Sequence, residues 1–136
     1  MRKGQWRRIE RRAVAAHERD QLAAIDDLCA RRTVVTGIEV EPVAGRTAKI
    51  GLGERRLLLG PLAPVGLALL LQARSAGGIL RLDGVGRYGK YWWLRLSTPA
   101  QPVTVLSRTL RLTSNGGAAP VAPLPGRSAV PRSALV

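Results

Sequence analysis

Residues 5–32 contain neither Gly nor Pro and are rich in Ala, Arg, Glu and Leu, a composition that favours helix. Trp6, Ile9, Ala13 and Ala16 fall on one helical face, with Arg8, Arg12 and Arg19 roughly opposite and Arg11 alongside. Leu22, Ile25 and Cys29 form a second apolar stripe, about half a turn round from the first at roughly 100° per residue. One straight helix cannot bury both stripes against one partner. The pattern therefore predicts either a bend near residues 16–20 or docking of the second half alone, with the first half projecting as a basic arm.

The period then changes to two. Ile38 and Val40 alternate with Glu39 and Glu41, and Ala48, Ile50 and Leu52 with Thr47 and Lys49. With a turn at residues 42–46 this is a hairpin with one wet face. Residues 57–73 are 17 uncharged positions between Arg56 and Arg74. A membrane-spanning helix needs about 20 apolar residues, and Gly60, Pro61 and Pro64 would break the first turns of this one. The segment reads instead as a buried strand at 56–59, a turn at Gly60 and Pro61, and a helix at 64–76. Pro64 suits that helix's first turn, and Gly77 and Gly78 stop it. Leu67, Leu69, Leu70 and Leu71 point all round such a helix, which predicts a central place in the core. A marginal membrane segment is the alternative reading.

Further on, 79–82 and 91–96 predict a second hairpin around a tip at 83–90. Residues 103–106 and 109–113 predict strands parted by Ser107 and Arg108, and 114–136 a disordered tail rich in Pro, Gly, Ser and Ala. The expected fold is α+β: an N-terminal helix, an antiparallel sheet or partly open barrel, one buried apolar helix and a disordered C-terminal tail. The corresponding divisions are 1–32, 33–113 and 114–136.

Composition narrows the function. A chain of 136 residues with 46% hydrophobic positions is the size of one domain. One cysteine, Cys29, excludes an intrachain disulfide, and with one histidine, His17, no multi-ligand Cys/His metal site is available. The net charge is +13. Arg outnumbers Lys 19 to 3 and Phe is absent, the bias of a GC-rich coding sequence, so arginine as such says little. The excess of bases over acids says more. It is concentrated at residues 1–12, net +5, and 61–113, net +6, around a near-neutral middle. Such a balance favours a polyanion partner: nucleic acid, an acidic protein or an anionic membrane surface. The basic start has no following apolar segment of a secretory signal, so cytoplasm is the expectation.

Gly84-Val85-Gly86-Arg87-Tyr88-Gly89 spells G-x-G-x-x-G, but an aromatic strand follows it where dinucleotide binding needs a helix. It reads as a glycine-rich hairpin. Alternation on the strand at 91–97 turns Trp92, Leu94 and Leu96 one way and Tyr91, Trp93 and Arg95 the other. The second face, extended by Arg81 and Arg111 and by Arg87, Tyr88 and Lys90 near the tip, interleaves aromatics with bases. That mixture suits base stacking with phosphate neutralisation. Packing of both tryptophans in the core is the competing reading, Trp92 being the better core residue.

Catalytic chemistry is not expected. Glu39 and Glu41 need not converge, the acid-x-Lys nuclease spacing is absent around Lys49, and His17 lacks the second histidine of a zinc helix. Cys29 reads as a small buried hydrophobe. The order of elements does not fit a winged helix, and the segment at 87–90 does not match the RRM aromatic signature. The expectation is thus a non-enzymatic nucleic-acid-binding accessory protein without cofactor or metal. Its candidate contacts are Arg7, Arg8, Arg11, Arg12 and Arg19 on the arm, and Arg81, Arg87, Tyr88, Lys90, Tyr91, Trp93, Arg95 and Arg111 on the sheet. The alternative is an interaction protein for an acidic partner or membrane face, such as a small plasmid or phage accessory protein. Deleting residues 1–12 should flatten the salt dependence of binding, because every phosphate no longer neutralised takes ~0.9 from the log–log slope on duplex DNA. An unchanged slope would exclude the arm.

Overall fold

The computed structural model describes the backbone of residues 3–114 and 120–124, with side chains from residue 16 onward. Within these residues lie two helices, α1 (Lys3–Ala30) and α2 (Pro64–Ala76). Six strands complete the fold: β1 (Gly37–Glu41), β2 (Thr47–Leu52), β3 (Arg55–Leu62), β4 (Arg81–Tyr88), β5 (Tyr91–Ser97) and β6 (Val103–Ser114). The strands form one antiparallel sheet in the order β1-β2-β3-β6-β5-β4, which is not closed. Its edges nonetheless meet at one end. Val35 N–H donates to Leu80 C=O and Leu82 N–H to Thr33 C=O, joining the lead-in to β1 to the opposite edge at β4.

The α+β expectation holds in its outline. The apolar face of each strand supplies the core, with Ile38, Ile50, Leu57, Leu82, Leu94 and Leu96 all fully enclosed. On α1 the second stripe docks: Ile25 and Cys29 are buried and Leu22 packs against the core from a half-buried position. The helix runs unbroken through residues 16–20. It ends in a Schellman arrangement, with Thr33 N–H on Leu28 C=O and Arg32 N–H on Cys29 C=O. Arg32 takes the left-handed position at φ 51° that usually falls to glycine. Its guanidinium reaches Asp83 Oδ1 and Ser97 Oγ, both at 3.0 Å, and so ties the helix end to β4 and β5.

Helix α2 starts and stops as its sequence predicts, with Pro64 in its first turn and Gly77 at its C-cap at φ 72°. It lies on the sheet by one face, not all round. Gly66, Leu67, Leu70 and Ala73 are buried, Leu69 and Leu71 are half-buried, and Val65 is exposed. Gly66 lets it approach closely, since a Cβ there would stand 3.3 Å from Val105 Cβ. The 57–73 stretch is thus divided between β3 and α2, and no helix among the described residues is long and apolar enough to cross a membrane.

Two local expectations change. Gly60 and Pro61 are not a turn, because β3 continues through them to Leu62, with a cis bond between the two. The segments 103–106 and 109–113 are one strand, β6. Inward positions run Val103, Val105 and Ser107 before this level and Leu110 and Leu112 after it, so β6 changes face at Arg108 and Thr109. Opposite, β3 turns Leu57 and Leu59 inward before Gly60 and Leu62 after it. Ser107 stitches this corner. Its Oγ accepts from Gly60 N–H at 2.7 Å and its hydroxyl donates to Thr109 C=O, while the Thr109 hydroxyl donates to Gly60 C=O. Gly60 stands at φ 150°, where a Cβ would lie 2.6 Å from Thr47 Cγ2. A side chain is excluded there on both counts.

The tail expectation also changes in part. Residues 120–124 lie against β1, with a bridge from Pro123 to Gly37 and with Val121 and Leu124 buried. Two apolar side chains give this proline-rich stretch enough buried surface to dock, and proline is compatible with extended backbone at a sheet edge. Residues 115–119 and 125–136 lie outside the described residues, as do the side chains of residues 3–15.

The glycine motif acquires a packing role. Gly84 and Gly86 belong to β4, and only Gly89 and Lys90 form the hairpin turn, with Gly89 at φ 60° in the first position of a II′ turn. Gly86 pairs with Trp93, and a Cβ at Gly86 would meet the indole Nε1 at 2.5 Å. The two strand glycines make the seat on which the Trp93 ring lies. Gly86→Ala should therefore destabilise the protein by about 1–3 kcal/mol through overpacking. The penalty should shrink when Trp93→Ala is also present, since contacting residues couple. Chemical denaturation of the two single variants and the double variant measures this; simple additivity would show that the ring does not rest on Gly86.

Candidate functional site

The corner opens a cleft of about 730 Å³. His17, Glu18 and Gln21 of α1 form one wall, and Lys49 on β2 with Leu58 and Leu59 on β3 form another. The run from Arg108 to Arg111 on β6 makes the floor's edge, and Arg87, Lys90 and Trp92 of the β4–β5 hairpin stand opposite. The α1 wall is fixed by Gln21, whose Oε1 accepts the Leu112 N–H at 2.7 Å. Register explains why that amide is available. Strand β5 pairs with β6 only between Val103 and Ser107, leaving the following stretch of β6 without a strand on that side.

Five cationic side chains line the cleft: Lys49, Arg87, Lys90, Arg108 and Arg111, against the single carboxylate of Glu18. Four of the other acids are engaged elsewhere. Asp27 pairs with Arg31 and Asp83 with Arg32. Glu39 faces Lys49 across β1 and β2, yet its Oε1 accepts the Ala122 N–H at 2.9 Å. Glu41 Oε1 accepts from the Val43 and Ala44 amides in the turn. The only ion pair found at the cleft among the described residues is Arg87 with Glu18, a loose contact at 4.0 Å. The result is a concavity with a large excess of positive charge, which concentrates anions more than an evenly mixed surface does.

Aromatic rings back several of these cations. Arg87 Cζ lies over Trp92, 4.8 Å from the ring centroid. Lys90 Nζ and Arg108 Cζ flank Tyr91 at 5.9 and 5.7 Å, and Arg95 Cζ lies 5.5 Å from Trp93. Such pairs hold a flexible arginine in place. Trp92 itself is 4% exposed and belongs to the core with Leu94 and Leu96, as strand alternation predicts.

The expected contact residues are distributed unevenly. Arg87, Lys90 and Arg111 line the cleft and Tyr91 supports it. Arg95 and Trp93 lie on the outer face of β5, where Trp93 is half-buried between its glycine seat and Arg95. It is therefore less open than a bare stacking platform. Tyr88 is exposed, and Arg19 is exposed on α1 outside the cleft lining. Arg81 is half-buried and donates to Arg32 C=O at 3.0 Å, so it holds the end of α1 in place. The side chains of Arg7, Arg8, Arg11 and Arg12 lie outside the described residues. Lys49, Arg108 and Glu18 join the site without a signal in the local pattern. The register of β2 with β3 and the face change in β6 bring the two bases to the cleft, and neither shows in local alternation.

Nucleophilic chemistry finds no foothold at Cys29. Burial, with Asp26 and Asp83 nearby, pushes its thiol up to about 11, and so holds it protonated at neutral pH. Among the described residues no three His, Cys, Asp or Glu side chains gather as a metal site. No protein family, curated protein or solved structure matches the chain.

Glu18 occupies the position of a competing anion at Arg87. Glu18→Gln should raise affinity for heparin, used as a polyanion probe, by up to about fivefold, the effect of removing an exposed pair worth under about 1 kcal/mol. Titration calorimetry at low salt reads this. An unaltered or weakened affinity would show that Glu18 does not guard the cleft.

Proposed function

We propose that the protein is a non-enzymatic nucleic-acid-binding accessory protein, and that the cleft is its binding site. The observation that carries this reading is the convergence of Lys49, Arg87, Lys90, Arg108 and Arg111 on one concavity. Their strands are far apart in sequence, and among the described residues only Arg87 of the five is in an ion pair, with Glu18. Unpaired cations at close quarters repel each other, and a polyphosphate backbone relieves that repulsion while releasing its own counterions. A concave site also favours a narrow, thread-like polyanion over the flat face of a membrane. The basic residues 1–12 add a further +5 of charge, and Arg95 lies on the neighbouring outer face.

Lys49→Gln with Arg111→Gln tests the reading at two exposed strand positions without setting a second carboxylate opposite Glu39. Oligonucleotide affinity should fall at least tenfold, and the salt slope should drop by roughly 0.7–0.9 for each phosphate left unneutralised. Fluorescence anisotropy across a salt series measures both. A folded double variant with unaltered affinity would remove the cleft from the site, and absence of oligonucleotide binding by the wild-type chain would favour the acidic-protein partner instead.

A further inference from the structure

The cleft bears features that neutralising phosphate does not call for. Its wall includes the half-buried Leu58, and two of its arginines stand over aromatic rings, Arg87 at 4.8 Å from the Trp92 centroid and Arg108 at 5.7 Å from that of Tyr91. A guanidinium is planar and weakly hydrated, and one held against a ring presents its other face as a ready surface for a flat partner. Unpaired nucleobases stack on such guanidinium planes as they do on aromatic side chains. In a duplex the base faces are already stacked on each other, and only the phosphates face outward.

Size points the same way. Clefts of about 300–1,000 Å³ enclose small organic groups, and at about 730 Å³ this one has that capacity. It is lined by α1, the strands and the hairpin, and its volume is that of a nucleotide rather than of a duplex turn. The α1 wall is also the side carrying the single carboxylate, Glu18. A strand entering the cleft therefore has its phosphates drawn to Lys49, Lys90 and Arg111, away from Glu18.

Resting on the nucleic-acid reading, we infer that the cleft takes an unpaired strand. Its phosphates lie on Lys49, Lys90 and Arg111, and a base is seated on the ring-backed guanidinium of Arg87 or Arg108.

The test compares three labelled twelve-nucleotide probes at one salt concentration, in DNA and RNA versions where the chemistry permits. They are a mixed-sequence single strand, its duplex with the complement, and a strand of the same length made of abasic sites. The full chain should bind the single strand at least tenfold more tightly than the duplex or the abasic strand. Arg87→Lys with Arg108→Lys keeps both charges but removes both planes. It should reduce the single-strand advantage to under threefold while the salt slope is retained. Arg108→Lys alone, at an exposed position, should give an intermediate loss if the pair perturbs folding, as checked by thermal melting. Equal affinity for strand and duplex, or for strand and abasic strand, overturns the inference. So does a folded lysine pair that keeps the full advantage. In those cases salt-dependent binding by the wild-type chain still supports the nucleic-acid reading, whereas salt-independent or absent binding of all three probes removes both.

Discussion

The cleft depends on one corner of the sheet, where β3 and β6 change face at the same level. A strand cannot exchange its inward and outward sides without leaving ladder groups unpaired, and a buried unpaired amide or carbonyl costs about 1–3 kcal/mol. Ser107 and Thr109 supply the missing partners: one hydroxyl serves the Gly60 amide and the Thr109 carbonyl, the other the Gly60 carbonyl. Ser107 is the only buried polar side chain among the described residues, and this is the duty that keeps it there. Leu58, Leu59, Gly60 and the run from Arg108 to Arg111, which all line the cleft, lie at this corner or beside it.

Charge separation in the cleft follows from what the acids do for the fold. Asp83 holds Arg32 at the end of α1, Glu41 organises the β1–β2 turn, and Glu39 holds the amide of the docked tail segment. Asp83 is paired with Arg32 outside the cleft, and Glu41 and Glu39 accept from backbone amides, so none of the three forms an ion pair with a base of the cleft. Lys49 shows the effect best. Its cross-strand neighbour Glu39 keeps its charge but has Oε1 on the Ala122 amide, and no ion pair among the described residues joins it to Lys49, which lines the cleft.

What the sequence makes legible is whatever depends on local period and local breakers. The stripe at Leu22, Ile25 and Cys29, the limits of α2 at Pro64 and Gly77, and the inward face of β5 all follow from neighbours within one or two turns or pleats. What it hides depends on distant pairing. Gly60 and Pro61 read as a turn because glycine and proline usually punctuate, yet the hydroxyls of Ser107 and Thr109, far along the chain, keep them in a strand. Gly84 and Gly86 read as a loop because nothing nearby says that Trp93 will lie on them. Arg108 is hidden for the same reason. Next to Ser107 it looks like the polar gap between two strands, whereas it is the point at which one strand turns over. The site is thus half legible: the hairpin bases are visible, and the two bases brought by register and corner are not.

The walls of the cleft are fixed before any ligand arrives. Helix α1 is held at two levels, by Gln21 on the Leu112 amide and by Arg32 on Asp83 and Ser97, with Ile25 and Cys29 packed into the core between them. The exposed Arg32–Asp83 pair contributes under about 1 kcal/mol by itself, so the apolar docking of α1 supplies most of the restraint and the polar contacts set its register. Across the cleft, Arg87 and Arg108 are restrained by the rings beside them, Trp92 and Tyr91, which lie in β5 where it pairs with β4. Binding a strand there need not order the cations first, and an immobilised long side chain costs about 0.5–1.5 kcal/mol when it must be ordered on association. Under the proposed reading, affinity in such a site would come from charge and surface already in position.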